Sequence, residues 1–442
     1  MEKLGSLFGV FTVLELRKKL LITLSLIVVF RMGTYVTIPG IDSDELSRLF
    51  EQFRREQSGL GRLMGMANMF SGGAIAQAAV FSLGIMPYIT ASILFQILAT
   101  VYPSLKKLQK EGEGGRRKLN QYTRYATLVI CVFQASMICR ALEQPMDQIH
   151  LVKHPGMVFM VTGVVALTAG TMIVMWLGEM ITEFGLGNGS SLIIMAGIMA
   201  HLPIGLADFA QQLMEEGGSG YLTVAFLMGF FLAMVIGIVY TTLGQRRIPI
   251  RQQRRVVAAE TGGGLRQYLP LRVNMAGVIP IIFAQSIIMF PAFLGQLPHL
   301  HFLQDAFKPG QLSWTVLYLV LIVFFCFFYT SMVFNPSEMA DNMKQGGTFI
   351  PGIRPGQETA RFLETLLIRI TVVGAVVLAV IAIVPHFLSA SLHISYALAG
   401  IFGGTGLLIV VGVALDLIQK IEGHLLTYNF DALVESPRAR RA

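Results

Sequence analysis

The chain has 442 residues, of which 54% are hydrophobic and only 14% charged, with a formal net charge of +8. A soluble domain carries charge on about 25% of its residues, so a water-soluble globular enzyme is excluded as the class. What remains is a chain whose main solvent is lipid, with a basic surplus suited to anionic headgroups and to polyanionic or acidic partners.

Apolar runs approach or exceed the length that crosses a bilayer as a helix, about 20 residues, at 20–36, 76–101, 122–140, 156–178, 188–203, 220–242, 273–297, 313–334, 366–386 and 397–420. Before the first run, Lys18-Lys19 resembles the basic start of a signal peptide. However, Arg31 and Met32-Gly33-Thr34-Tyr35 follow without a small-x-small cleavage site, so a retained first span is expected. The loop after it ends in Gly65-Met66-Ala67-Asn68-Met69-Phe70-Ser71-Gly72-Gly73, and its apolar piece 61–70 is too short to span. Such a piece is tolerated at membrane depth only where protein or a water-filled cavity shields its backbone. The fifth run is the weakest, set between Gly187-Asn188-Gly189 and Pro203. Against 7 in the intervening segments, 26 of the 34 lysines and arginines fall up to Lys19, in the segments Lys106–Arg124, Arg246–Arg272 and Lys344–Arg369 around loops 103–121, 244–272 and 335–365, and from Lys420 onward. These are alternate loops, so the positive-inside rule puts both termini in the cytoplasm. The predicted class is an all-α, polytopic membrane protein of ten transmembrane helices. Its parts are a cytoplasmic segment 1–19, an N-terminal half 20–205, a C-terminal half 206–421 and a cytoplasmic tail 422–442. Two inverted five-span halves would fit this arrangement, although no residue-level repeat marks them.

Catalytic and ion-coupling chemistry is hard to place. Runs such as 77–101, 156–178, 273–297 and 370–385 carry no Asp, Glu, Lys, Arg or His through their centres. Ion-coupled transporters and intramembrane enzymes usually need ionisable groups there. Arg31 alone sits inside a run, and it reads as a snorkelling or interface arginine. Gly112-Glu113-Gly114-Gly115-Arg116-Arg117-Lys118 lacks the Lys-Ser/Thr ending of a phosphate loop, and Gly185-Leu186-Gly187-Asn188-Gly189-Ser190 precedes no βαβ unit. Ser190 and Ser191 have no histidine expected within a span to act as base, and read as helix-cap serines. His299-x-His301 lacks a third ligand. Cys131, Cys139 and Cys326 give neither a disulfide framework nor metal spacing and read as small buried residues.

An ordered series of motifs does carry information. Asn68-Met69-Phe70-Ser71-Gly72-Gly73-Ala74 precedes Gly84-Ile85-Met86-Pro87-Tyr88-Ile89-Thr90-Ala91-Ser92. Gly114-Gly115-Arg116-Arg117-Lys118, Gln121-Tyr122-Thr123-Arg124-Tyr125 and Gly187-Asn188-Gly189 come next, then Val273-Asn274-Met275-Ala276-Gly277-Val278-Ile279-Pro280. Phe334-Asn335-Pro336, Phe349-Ile350-Pro351-Gly352-Ile353-Arg354-Pro355-Gly356 and Gly403-Gly404-Thr405-Gly406-Leu407-Leu408-Ile409-Val410-Val411 complete it. In this order, from about residue 15 to 425, the chain resembles the SecY family, the large subunit of the bacterial Sec translocon. Thr261-Gly262-Gly263-Gly264-Leu265-Arg266-Gln267-Tyr268 departs from the family's pattern before Leu269-Pro270-Leu271.

The resemblance implies a channel in the bacterial cytoplasmic membrane, not an enzyme, with no catalytic residue, metal or cofactor. Such a channel passes unfolded secretory chains across and releases transmembrane segments sideways into lipid. Two halves surround an hourglass pore, with SecE and SecG as small partners. The SecA motor ATPase or a translating ribosome docks from the cytoplasm. Carried onto this sequence, the pore ring is Ile85, Ile89, Ile194, Ile198, Ile279 and Ile409. Each alone reads equally as ordinary helix packing. The plug covers about 61–74, with Met64, Met66, Asn68, Met69, Phe70, Ser71, Gly72 and Gly73, and is expected to pack weakly; Gly72-Gly73 fits a static loop as well. The lateral gate draws on Thr90, Ser92, Gln96, Gln134, Asn274 and Gln285, any of which could instead bond its own backbone. Docking of the motor or ribosome falls to Arg246, Arg247, Arg251, Arg254, Arg255 and Arg354.

Overall fold

The structure is a computed structural model. It describes residues 13–42, 45–46, 48–49, 65, 68–143, 151–216, 220–252, 267–275, 277–294, 311–392, 399–400 and 404–435. Met64, Met66, Arg254 and Arg255 lie outside them.

Helices fall on all the apolar runs. They are α1 (Leu14–Gly33), α2 (Met86–Val101), α4 (Glu113–Glu143), α5 (Met157–Phe184), α6 (Gly189–Glu216), α7 (Gly220–Leu243), α8 (Ile279–Leu294), α9 (Leu312–Val333), α11 (Gln357–Leu392) and α12 (Thr405–Glu435). Short helices α3 (Pro103–Lys110) and α10 (Pro336–Gln345) lie in the basic loops. Among the described residues, helices within α4, α5, α7, α9 and α11 are long and apolar enough to cross a membrane unaided. The pair α2 and α3 counts as a further one if its 108° bend is taken as a single broken span. The chain is therefore a multi-pass membrane protein.

Two differences from the sequence reading have local causes. The second run was expected to be helical from residue 76, but 71–85 is a series of turns and α2 starts at Met86. Within the run, Ala78 and Gly84 hold φ of +44° and +56°, which a helix cannot absorb. Pro87 in the first turn then sets the helix start, where its missing N–H costs nothing. The second difference is a small sheet, of order β2-β1-β3, in what the sequence reading took as loops. Strand β1 (Gln245–Gln252) pairs antiparallel with β2 (Gln267–Arg272), and its end pairs with β3 (Thr348–Phe349). Alternation explains it. Ile248 and Leu271 point inward, onto Ile350, Leu363, Leu366 and Ile370, while Arg247 and Pro249, on the alternate face, are exposed.

The main core is one large apolar cluster. It joins α2, α5, α6, α8, α9, α11 and α12 through residues such as Ile89, Val174, Ile194, Ile282, Phe325, Leu378 and Ile409. Outward faces of α4, α5, α7, α9 and α11 show Val129, Val161, Ile236, Val320 and Val376 uncovered, as lipid-facing helices do.

Candidate functional site: an apolar cluster between a vestibule and a buried turn

Helix α6 supplies an axis for the site. The turn before it, Gly185 to Asn188, is fixed by Thr23 Oγ1, which accepts from Leu186 N at 3.0 Å. Asn188 then caps the helix, its Oδ1 accepting from Ser190 N at 3.1 Å and from Ser190 Oγ at 2.6 Å. The cap is thus Asn188, and Ser190 donates to it rather than capping the helix itself. At 1.5 Å per residue, α6 passes three regions in turn. Ser190 and Ser191 line an open vestibule. Ile194 and Ile198 enter the main apolar core. Gly197 and His201 meet the segment that follows Asn68.

Ile85, Ile89, Ile194, Ile198 and Ile409 are buried members of that one core cluster, and Ile279 packs against it partly buried. They arrive from the start of α2, from α6, from the first residue of α8 and from α12. Spacing of four in Ile85/Ile89 and in Ile194/Ile198 puts each pair on one helical face. Met69 and Phe70 belong to the same cluster. A Cβ built on Gly406 would lie 3.1 Å from Met69 Cε and 3.5 Å from Ile198 Cγ2, so α12 meets both residues at this glycine.

The 68–73 segment ends its helical turn as a Schellman motif. Gly73 N donates to Asn68 O at 2.9 Å and Gly72 N to Met69 O at 3.3 Å, with Gly72 in the left-handed conformation such ends require. Gly72 also packs backbone to backbone on α6, where a Cβ on Gly197 would lie 3.2 Å from Gly72 Cα. Asn68 Oδ1 accepts from Ala76 N at 2.9 Å, and Ser71 Oγ donates to Asn68 O at 3.1 Å. Met69, Phe70 and Ser71 are buried, so this stretch packs more tightly than its glycine content suggests.

On the other side of the isoleucines lies the vestibule, about 440 Å³ in volume. One wall is largely apolar: Tyr88 and Ile89 of α2, Ile279, Ile282 and Phe283 of α8, and Tyr329 of α9. Polar residues complete the lining: Ser92 and Gln96 of α2, Asn120 and Arg124 of α4, Glu179, Thr182 and Glu183 of α5, and Asn188, Ser190 and Ser191 beside Ile194 at the start of α6. Arg124 forks onto Glu179, with Nε–Oε1 at 3.0 Å and Nη2–Oε2 at 2.7 Å.

The expected gate residues are distributed unevenly. Thr90 Oγ1 donates to Met86 O of its own helix at 3.0 Å. Gln96 Nε2 donates to Ser92 Oγ, also on α2, at 3.2 Å, and Asn274 Nδ2 to Gly277 O at 3.1 Å. Gln134 is half-buried on α4. Gln285 of α8 is 1% exposed, and neither of its amide atoms finds a hydrogen-bond partner among the described residues. One polar contact joins α2 to α8 among them, Ser286 Oγ to Met86 Sδ at 3.9 Å. Arg246, Arg247, Arg251 and Arg354 are all exposed. The sheet gathers them, because Arg251 pairs with Phe349, just before the turn that carries Arg354.

Sequence reasoning passed over three features. Arg31, read as a snorkelling or interface arginine, has a partner within the protein: its Nη1 donates to Gly72 O at 2.6 Å. A histidine does lie in a span, since His201 sits in α6 with its Nε2 3.2 Å from Asn68 O. The Arg124–Glu179 fork was also missed. The available signal was the same each time, a polar side chain in an otherwise apolar run, which in lipid must find a partner. Among the described residues no group of His, Cys, Asp and Glu is placed to hold a metal ion.

Comparison with known proteins is unambiguous. The SecY family model matches residues 79–418. The protein translocase subunit SecY of Escherichia coli is 43% identical over 433 residues, covering 95% of this chain and 94% of that one. Its Aquifex aeolicus namesake is 40% identical, covering 96% and 98%. A solved protein-conducting channel superposes with a TM-score of 0.63 at 16% identity, covering 92% of this chain and 91% of that one. The channel of a canine ribosome–channel complex from the endoplasmic reticulum superposes with a TM-score of 0.61 at 16% identity, covering the same shares. These structural likenesses speak for the fold, and with the family model and the sequence identity they place the chain in the SecY family.

Proposed function

We propose that this chain is the central subunit of a protein-conducting channel that passes unfolded secretory chains across the cytoplasmic membrane and releases apolar segments sideways into it. Its relatives are named translocase subunits. The observation that carries the reading is the collar itself. Six isoleucines from four elements meet in one apolar cluster, with a vestibule on one side and a buried, glycine-ended turn on the other. A narrow aliphatic constriction excludes ions by dewetting. It also offers no fixed hydrogen bond, so chains of any sequence slide through it. Ile85, Ile89, Ile194, Ile198, Ile279 and Ile409 are the pore ring, and the stretch through Asn68, Met69, Phe70, Ser71, Gly72 and Gly73 is the plug beneath it. The largely apolar wall of the vestibule is the inner side of a lateral gate between α2 and α8.

The chain has no chemistry of its own to drive transport, so a motor ATPase of the SecA type, a ribosome or the membrane potential supplies the energy. Exposed Arg246, Arg247, Arg251 and Arg354 form a docking surface on the face that carries the sheet. Guanidinium groups suit both RNA phosphates and the carboxylates of a motor protein. That face and both termini are cytoplasmic, and small subunits of the SecE and SecG type complete the complex.

The test is ionic conductance in planar bilayers. The combined variant Ile89→Gly, Ile194→Gly, Ile279→Gly is expected to leak ions at rest where the parent seals. A sealed membrane with this variant inserted at parental levels sinks the pore reading. Arg354→Glu is expected to weaken motor- or ribosome-dependent uptake while leaving the protein in the membrane, and undiminished uptake sinks the docking assignment.

A further inference from the structure

The turn that ends at Gly72 presents main-chain carbonyls at the foot of the apolar cluster, and two side chains from different helices reach them. Arg31, in the last turn of α1, donates from Nη1 to Gly72 O at 2.6 Å. Its guanidinium is also held by Tyr35, with Nη2 at 3.5 Å from the phenol oxygen and Cζ at 5.7 Å from the ring centre. His201, in α6, lies with Nε2 at 3.2 Å from Asn68 O. A carbonyl oxygen only accepts, so the proton of the contact sits on Nε2. The histidine ring also closes on the turn's second glycine, since a Cβ on Gly73 would lie 3.2 Å from Cε1 and 3.3 Å from Nε2.

Carbonyls at the end of a helical turn carry partial negative charge, so cationic or N–H-bearing side chains are the groups that suit them. Asn68 O already accepts from Gly73 N and Ser71 Oγ within the turn, and His201 adds the contact from another helix. The apolar contacts of Met69 and Phe70 lack direction and tolerate sliding. The two hydrogen bonds have direction, and they fix the turn's depth and rotation against α1 and α6. We infer that Arg31 and His201 are positioning residues that latch the plug shut by hydrogen bonding to the carbonyls of Gly72 and Asn68. The inference rests on the channel reading above. Opening must break both contacts together, and water replaces them once the turn leaves, so the latch resists fluctuation without blocking a committed chain.

The experiment uses the full chain in its membrane complex. Resting conductance is recorded for Arg31→Met, His201→Ala and their combination, beside the ring variant with Ile89, Ile194 and Ile279 replaced by glycine. In parallel, Ser71→Cys reports plug exposure through its rate of modification by a membrane-impermeant maleimide. Ser71 is buried, and the native Cys131, Cys139 and Cys326 are buried too, so their continued silence certifies the fold. Each single latch variant is expected to raise both conductance and Ser71→Cys labelling several-fold, and the combination to raise them further. His201→Gln, which keeps an N–H donor of similar reach, is expected to restore values near the parent's. Latch variants that stay as tight and as slowly labelled as the parent, while the ring variant leaks, overturn the latch and leave the channel standing. Failure of His201→Gln to restore the seal also overturns it, since bulk rather than hydrogen bonding would then be what counts. A ring variant that does not leak overturns the channel reading, and the latch with it.

Discussion

The vestibule is bounded by two helix pairs that hold together by opposite means. On its polar side, α4 and α5 meet along a stripe of small buried residues, Thr123, Thr127, Cys131, Ala135 and Cys139, spaced by four on α4. Their backbones come close enough that a Cβ on Gly163 would lie 2.7 Å from Cys139 Sγ. The Arg124–Glu179 fork closes the vestibule end of the same pair. Small residues and close backbones are how helices adhere in lipid, where no hydrophobic force drives them together. On the other side, α2 meets α8 through bulky Ile, Met and Phe side chains, with one weak contact from Ser286 Oγ to Met86 Sδ at 3.9 Å. Gln285 is buried on α8 with its amide unpaired among the described residues. The first pair is built to stay shut. The second holds by apolar packing and that one weak contact, and the unpaired amide on α8 costs about 1–3 kcal/mol that lipid headgroups, water or a guest chain would return if it were uncovered.

Holding the second pair closed is the strongest way to break this contrast. With Met86→Cys and Ser286→Cys joined by a short thiol-to-thiol reagent that reductant cleaves, uptake of unfolded chains into proteoliposomes is expected to fall to background and to recover on reduction. Uptake that persists under the bridge would mean that α2 and α8 need not separate. Overpacking the first pair comes next. Ala135→Leu inserts a branched side chain into the small-residue stripe and is expected to cost about 1–3 kcal/mol of stability, read as a lower midpoint of thermal unfolding in detergent. If the midpoint does not move, α4 and α5 are not the tight pair described. Third, Gln285→Leu removes the unpaired amide. The closed complex should gain about 1 kcal/mol or somewhat more in stability, and transport should slow several-fold. A destabilised protein would mean that the amide is satisfied.

How much of this was legible beforehand follows from what pattern each feature leaves. Ten apolar runs were visible because every one is long or sharply bounded, and helices lie on all of them. The motif series was specific enough to identify the family from residues such as Asn68, Pro87, Asn274 and Arg354. The hairpin was missed although Ile248 and Ile250 alternate with Arg247 and Arg251, because basic residues and glycines made the loop read as solvated chain. The start of α2 was misplaced because apolarity alone does not distinguish a helix from buried turns, and Gly84, just before Pro87, was the better guide. Partners of Arg31, His201 and Arg124 could not be read at all. They lie 41, 133 and 55 residues away, and no local pattern encodes a contact at that separation.

The smallest effect is expected at the Arg124–Glu179 fork, and its size decides what the fork is for. Its geometry is good, but the Arg124 side chain is 48% exposed and that of Glu179 22%. Solvent screening at such exposure keeps an ion pair to roughly 0–1 kcal/mol. A double-mutant cycle with Arg124→Met and Glu179→Gln should therefore give a coupling energy below about 1 kcal/mol in thermal or denaturant unfolding. The close packing of Gly163 on Cys139, rather than the fork, then accounts for the firmness of the α4–α5 pair. A coupling well above that value would move the weight to electrostatics and make the pair salt-sensitive. If instead the stability coupling is small while Arg124→Met alone slows the uptake of unfolded chains, the fork's role is to keep two opposite charges in place on the polar vestibule wall, facing whatever passes.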